Sequence, residues 1–399
     1  MVVAASLAAL ALLVVLRRPE APLRTREGRD GRGAQLPRRV PHARQHSRAR
    51  SRHGTDGCCR RGIAGKVRRA GGARRPLDRV CEGAVPPLGS EGHPRRRTCV
   101  ERVNSGVPPV HVVTDSTAYL PPGLVADLGV TVVSLYYSVG GDDGLLREVD
   151  VGGDFEGFYA QLEAGGPMAT TSPPSVEDFK ATYGELLAGG GSVLSVHISS
   201  GMSETCANAR AAATALEEEG TGGSRVAVID SAATAGQLGC LVLAAARLAN
   251  GGADHEAVVE RVREARQEVR LWFLVDTLEY LRRGGRIGTA TAWVGSALQV
   301  KPILTIESEI TAVERVRTRG RGIDRLVELM RNWRAVGADA YFVQHSRSQD
   351  DAERFAQRLQ EVFWRPPEFI AEIGPVVGTH TGPGTLGAGG LPSRFLETL

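Results

Sequence analysis

All 20 aromatic residues of this 399-residue chain lie after position 109: nine Phe, seven Tyr and four Trp. Aromatic side chains carry much of the area that a globular core buries. A stretch of 109 residues without one is poor material for a folded domain. Charge divides at the same place. Residues 1–109 hold 24 Lys and Arg against 8 Asp and Glu, a net of +16. Residues 110–399 hold 25 against 37, a net of −12, so the overall +4 hides the split. Low hydrophobicity with high net charge is the signature of disorder. The chain therefore reads as an Arg-rich extension, 1–109, and a folded body.

The extension opens with 16 residues that are apolar apart from Ser6. A spanning helix needs roughly 20. Three readings compete. One is a marginal membrane anchor with Arg17 and Arg18 on its inner flank. One is a secretory signal, although such signals carry positive charge before the apolar run and a cleavage site after it. The favoured one is text upstream of the true start codon. The segment is rich in Arg, Gly, Ala and Pro with a single Lys (Lys66) and a single Ile (Ile63), as GC-rich DNA read outside its frame gives. Its basic runs would bind nucleic acid or anionic lipid without specificity. No specific nucleic-acid partner is expected, and membrane contact is transient unless the apolar run is real. Cys58, Cys59, Cys81 and Cys99 match no zinc spacing. Only Cys206 and Cys240 remain for the body, too few for a disulfide framework, so a reducing cytoplasm is the expected compartment.

From Val110 the pattern is that of alternating strands and helices. Strands are expected at 110–113, 130–137, 193–198 and 226–229. Helices are expected at 120–128, 155–164, 203–216, 234–249 and 256–269. Such alternation implies βαβ units and a parallel sheet, and the near-continuous apolar run at 193–198 suits a strand buried on both faces. After residue 271 the pattern is mixed. A hairpin fits 301–307 with 310–316, helices fit 323–333 and 352–363, and strands fit 340–344 and 375–380. Two lobes are expected, 110–270 and 271–399, packed around a cleft, a usual place for a ligand.

Four segments of the body combine hydroxyls, glycine and charge. Thr171 and Ser172 precede Pro173, Pro174 and Ser175, and Ser175 with Asp178 resembles a helix capping box. Ser200 and Ser203 follow a buried strand, where open α/β sheets bind ligands; Ser203 reads as the opening of a helix, whose free N–H groups favour an anion. Gly284-Gly285-Arg286 offers an arginine, whose planar fork suits a carboxylate. His380 stands among glycines in a loop that a ligand can approach closely. Asp115 and Ser116, at the end of the first strand, are neighbours of interest. Each segment also has a plain structural explanation as a cap, turn or core residue.

Taken in order, these segments resemble the DegV family of bacterial fatty-acid-binding proteins. The resemblance runs from VHVVTDSTAYLPPGL through TTSPPSVEDF, ISSGMSETCANA, VIDSAATAGQLG, YLRRGGRIGTA and KPILTIE to GPVVGTHTGPGTLG, and covers nothing before Val110. It implies a two-lobed α/β fold: a parallel-sheet α/β/α lobe and a mixed-sheet α/β lobe that completes a lipid cleft. It implies that Thr171, Ser203, Arg286 and His380 hold a fatty-acid carboxylate, for example that of palmitate, while the acyl chain is buried between the lobes. It implies no cofactor, no metal and no catalysis by the binder. In part of the family the bound fatty acid is presented to a separate ATP-dependent fatty acid kinase, which makes the acyl phosphate. Two positions depart from the family pattern: Pro173 replaces Gln, and Glu204 replaces Gly beside Ser203. Glu204 facing the head group would repel a carboxylate; as a first-turn acid pointing to solvent it is favoured by the helix dipole, which is the expectation.

Two rival functions follow from the same residues. An acyl hydrolase would use Ser203 as nucleophile, His380 as base and Asp115 or Asp230 as orienter, although the Gly-x-Ser-x-Gly elbow is absent. A nucleotide enzyme lacks both the P-loop and the Rossmann fingerprint.

Overall fold

Residues 108–140, 144–167, 169–295 and 300–398 are described by the computed structural model. The expectations for the extension, and its four cysteines, lie outside these residues. In chain order the strands are β1 (Val110–Asp115), β2 (Thr131–Val133), β3 (Tyr136–Ser138), β4 (Leu146–Arg147), β5 (Thr170–Ser172), β6 (Ser192–His197), β7 (Val226–Asp230), β8 (Arg270–Leu274), β9 (Lys301–Glu307), β10 (Glu309–Val316), β11 (Ala340–His345), β12 (Ile370–Glu372) and β13 (Leu386–Leu391).

They form three sheets. The apolar run expected at 193–198 is β6, a central strand of an all-parallel sheet ordered β2-β1-β6-β7. The second sheet has six strands, β10-β9-β8-β13-β11-β12, antiparallel except for the β11–β12 pair. The third is a small antiparallel patch, β4-β3-β5. The fold is α/β with a parallel and a mixed sheet, as the sequence pattern implies.

The helix Ala235–Asn250 packs between the two large sheets. Thirteen of its 16 residues are buried, as expected of a helix apolar on every side. Beside it runs His255–Glu268, which buries Val258, Val259, Val262 and Ala265 along one stripe. On the outer face of the parallel sheet, Phe179, Tyr183 and Leu187 of one helix (Val176–Ala188) and Ala209, Ala212 and Leu216 of another (Thr205–Glu218) share a core with Val113 and Val193. Two more helices, Arg319–Ala335 and Gln349–Phe363, cover the outer face of the mixed sheet through Leu326, Met330, Phe355 and Leu359. Each large sheet is thus buried on both faces, which explains the apolar character of its central strands. Among the described residues no helix is long and apolar enough to cross a membrane.

Local departures from the sequence reading have physical causes. The stretch expected as one strand at 130–137 is two, β2 and β3, in different sheets. It breaks at Ser134 and Leu135: the Leu135 N–H donates to Ser116 Oγ, and the Val149 N–H donates to Ser134 Oγ. The segment expected as a strand at 375–380 is a short helix, Pro375–Thr381, with Pro at its first position, where the missing N–H costs nothing. The strand of this region is β13, further on and too glycine-rich to read as one. Its glycines are needed by close neighbours: a Cβ on Gly389 would lie 2.1 Å from the Arg270 carbonyl oxygen. The strand β8 begins directly after a helix, with Val269 already extended, so no turn residue announces it.

Candidate functional site

Thr171 lies on β5, opposite Tyr137 of β3. The turn between β6 and the next helix carries Ser203, whose backbone N–H donates to the Ser199 carbonyl. That helix begins at Thr205, with Glu204 as its N-cap residue. Ser203 therefore precedes the helix rather than opening it, and its Oγ pairs with Thr205 Oγ1 at 2.8 Å. Arg286 follows the one-turn helix Glu279–Arg283; Gly285, at φ 69°, reverses the chain, and the Arg286 N–H returns to the Leu281 carbonyl. His380 is in the last turn of Pro375–Thr381, not in a free glycine loop.

These four elements converge. Thr171, Ser203, Arg286 and His380 all line one cavity of about 460 Å³, together with Ser172, Pro173, Ser200 and Glu204. That volume is in the usual range for small-molecule sites. Its remaining wall is largely aliphatic: Leu135, Ile198, Leu281, Ile310 and Val376 among others, with Leu271 and Phe273 of β8 on the mixed sheet's inner face. Gly387 of β13 also lines it, where a Cβ would press against Phe273 at 2.8 Å.

The polar end is tightly connected. His380 Nε2 and Thr171 Oγ1 are 3.1 Å apart. The Arg286 guanidinium donates to the carbonyls of Gly284 (2.9 Å) and Met202 (3.3 Å), tying the His380 side of the cavity to the Ser203 turn. Two of its five donors are engaged. Burial, reinforced by the Arg286 charge, lowers the His380 pKa to about 4, so the ring is neutral near pH 7. Gly284 packs against that ring; a Cβ there would fall 2.0 Å from Nδ1. Glu204 is exposed at the rim.

Other expected site residues lie elsewhere. Asp115 is fully buried and accepts from Thr117 N, Thr117 Oγ1, His197 and Ile198 N. Ser116 accepts from Leu135 N. Both border a second cavity, which Tyr119 and Glu148 also line; their role is to hold β1 and its turn. Ser200 reaches the first cavity but is committed to Asp230 through Oγ and N.

The triad required by the hydrolase reading is not assembled. Ser203 faces Thr205, His380 Nδ1 has no hydrogen-bond partner, and Asp115 and Asp230 are both engaged elsewhere. A Ser–His–Asp array does exist at Ser195, His197 and Asp115, with Ser195 Oγ 2.6 Å from His197 Nε2 and His197 Nδ1 3.0 Å from Asp115. All three are fully buried, and Tyr183 donates to the serine, so the array braces the parallel sheet. Sequence reasoning missed Gln344 and Thr234, which also line the first cavity. The signal for Gln344 was an amide inside the apolar run AYFVQH.

The fold and cavity define a class: α/β proteins with a parallel and a mixed sheet enclosing an apolar chamber with a polar mouth. The particular family follows from comparison. Residues 109–392 match the family described as "Uncharacterised protein, DegV family". A DegV domain-containing protein of Streptomyces coelicolor is 38% identical over 285 residues, covering 70% of this chain and 96% of that one. Two solved structures are also similar, each covering 71% of this chain and 99% of its own with a TM-score of 0.63. One, 33% identical, concerns fatty-acid binding by a DegV family protein from Thermus thermophilus. The other, 32% identical, is DegV, a fatty-acid-binding protein from Bacillus subtilis. The chain belongs to the DegV family.

Proposed function

We propose that this chain binds a long-chain fatty acid and does not itself transform it. Thr171, Ser203, Arg286 and His380 hold the carboxylate, and the aliphatic wall takes the acyl chain. The observation that carries the reading is the lining of one cavity by all four residues, with an apolar chamber behind them. The solved relatives' fatty-acid binding supports the same reading. Each buried methylene contributes about 0.8 kcal/mol. A sixteen-carbon tail then supplies on the order of 10 kcal/mol against association costs that reach a similar size, so micromolar or tighter retention needs no catalysis. Neutral His380 donates or accepts one hydrogen bond, and Arg286 brings the positive charge. The buried free thiols Cys206 and Cys240 fit a reducing cytoplasm. In such a role the protein presents the fatty acid to a separate kinase for acyl-phosphate formation, and needs no cofactor of its own.

Native mass spectrometry of the purified chain, followed by lipid extraction, tests this. A co-purified acyl chain is expected. Arg286→Ala and Thr171→Ala each weaken fatty-acid binding about tenfold or more with little loss of stability. A protein that carries no lipid and rejects added palmitate overturns the reading, and unchanged affinity in both variants overturns the head-group assignment.

A further inference from the structure

Besides His380, the lining of the cavity includes two residues with a polar side-chain atom that the fold leaves unpaired. Thr234 is the N-cap residue of the central helix Ala235–Asn250, yet its side chain makes no capping bond. Gln344, on the inner face of β11, does the capping instead: the Gly236 N–H donates to Gln344 Oε1 at 2.5 Å. That bond fixes the amide's orientation, because a backbone N–H can only donate. Gln344 Nε2 is left as a donor, and Thr234 Oγ1 is free to donate and accept. Neither atom has a hydrogen-bond partner, and their residues are 1% and 4% exposed. Both residues line the cavity beside Leu271 and Phe273. A polar group buried without a partner is costly, and a plain hydrocarbon tail gives these two nothing to bond.

We propose that Gln344 and Thr234 form a second polar subsite that recognises an oxygen carried on the acyl chain, so that the preferred ligands are hydroxy or keto fatty acids. A chain hydroxyl accepts from Gln344 Nε2 and donates to Thr234 Oγ1; a keto oxygen accepts from both. The helix N-terminus adds its positive end to the same spot, favouring an acceptor oxygen. This rests on the fatty-acid reading above and assigns its substrate class. Sites built to hydrogen-bond a ligand group discriminate against analogues that lack it.

The test is a binding panel on the full-length protein: stearate against hydroxystearates with the hydroxyl moved along the chain. At least one positional isomer binds about tenfold tighter than stearate, the effect of one or two hydrogen bonds. Thr234→Val is nearly isosteric and breaks no bond within the fold; it abolishes that advantage and leaves stearate affinity within about twofold. Gln344→Leu does the same, with some loss of stability from the uncapped Gly236 N–H. Stearate binding with no isomer preferred, or a preference that survives Thr234→Val, overturns the subsite while leaving the fatty-acid reading intact. Rejection of stearate and all isomers alike overturns both.

Discussion

Glu148 is 3% exposed and sits at the start of the helix that carries His380. Its Oε1 accepts from the Val376 N–H and the Tyr119 hydroxyl, each at 2.8 Å, while Oε2 has no partner. Burial outweighs these donors and raises its pKa from 4.5 to about 7. The folded state therefore holds this proton more tightly than the unfolded state does. The stability it confers is complete below pH 4.5 and is lost as pH rises through about 7. Linkage between those two values gives a loss of about 2–3 kcal/mol from pH 5 to pH 8. Glu148→Gln keeps an oxygen acceptor for Val376 and Tyr119 and removes the titration. Any fixed cost of the amide, such as an unpaired Nε2 donor in place of Oε2, is the same at both pH values and cancels. Urea unfolding of both proteins at pH 5 and pH 8 measures the outcome. The variant's stability relative to wild type should rise by about 2–3 kcal/mol across that interval. A difference independent of pH would show that Glu148 is ionised throughout and refute the reasoning.

Two other perturbations probe the mouth of the cavity. Gly284→Ala places a methyl where His380 Nδ1 now lies; the ring must move from Thr171, and fatty-acid affinity, read by displacement of a fluorescent fatty acid, should fall about tenfold while melting changes little. His380 titrates in the opposite sense to Glu148. Its pKa is lowered to about 4 in the fold, so its contribution is complete above pH 6.5 and is lost as pH falls toward 4. His380→Asn should flatten the acid limb of the stability curve between pH 6.5 and 4 by about 2–3 kcal/mol; an unaltered limb would mean that another group governs it.

What was legible in the sequence was mostly what burial writes into composition. The central strand β6 and the central helix Ala235–Asn250 are apolar because both of their sides are covered, and their positions follow from that alone. What was not legible depended on contacts with distant residues. The strand β13 is a glycine run whose shape is dictated by β8 and β11 on either side. The helix Pro375–Thr381 is pinned at its start by Glu148, more than 220 residues earlier. Val and Thr in Pro-Val-Val-Gly-Thr-His-Thr favour a strand locally, and that tertiary contact prevails. The four residues proposed for the head group, which line one cavity, stood out only as a set, through resemblance, because each alone reads equally well as a cap, turn or core residue.

Asp115 shows why residue type and position on a strand do not separate support from function. It stands at the carboxyl end of a parallel strand, where ligands of open α/β sheets bind, and is followed by hydroxyl residues. Ser203 occupies an equivalent place after β6. The difference lies in how many donors the fold has already assigned to each. Asp115 receives bonds from two backbone N–H groups, a threonine hydroxyl and an imidazole, so its carboxylate is saturated and inaccessible. The Ser203 hydroxyl has only its neighbour Thr205 and a long contact to that residue's N–H at 3.4 Å, and stays on the cavity wall. Gln344 and Thr234 extend the same criterion into the apolar chamber: the polar atoms available to a ligand are those the fold leaves unsatisfied, and such atoms can be found only once every partner is known.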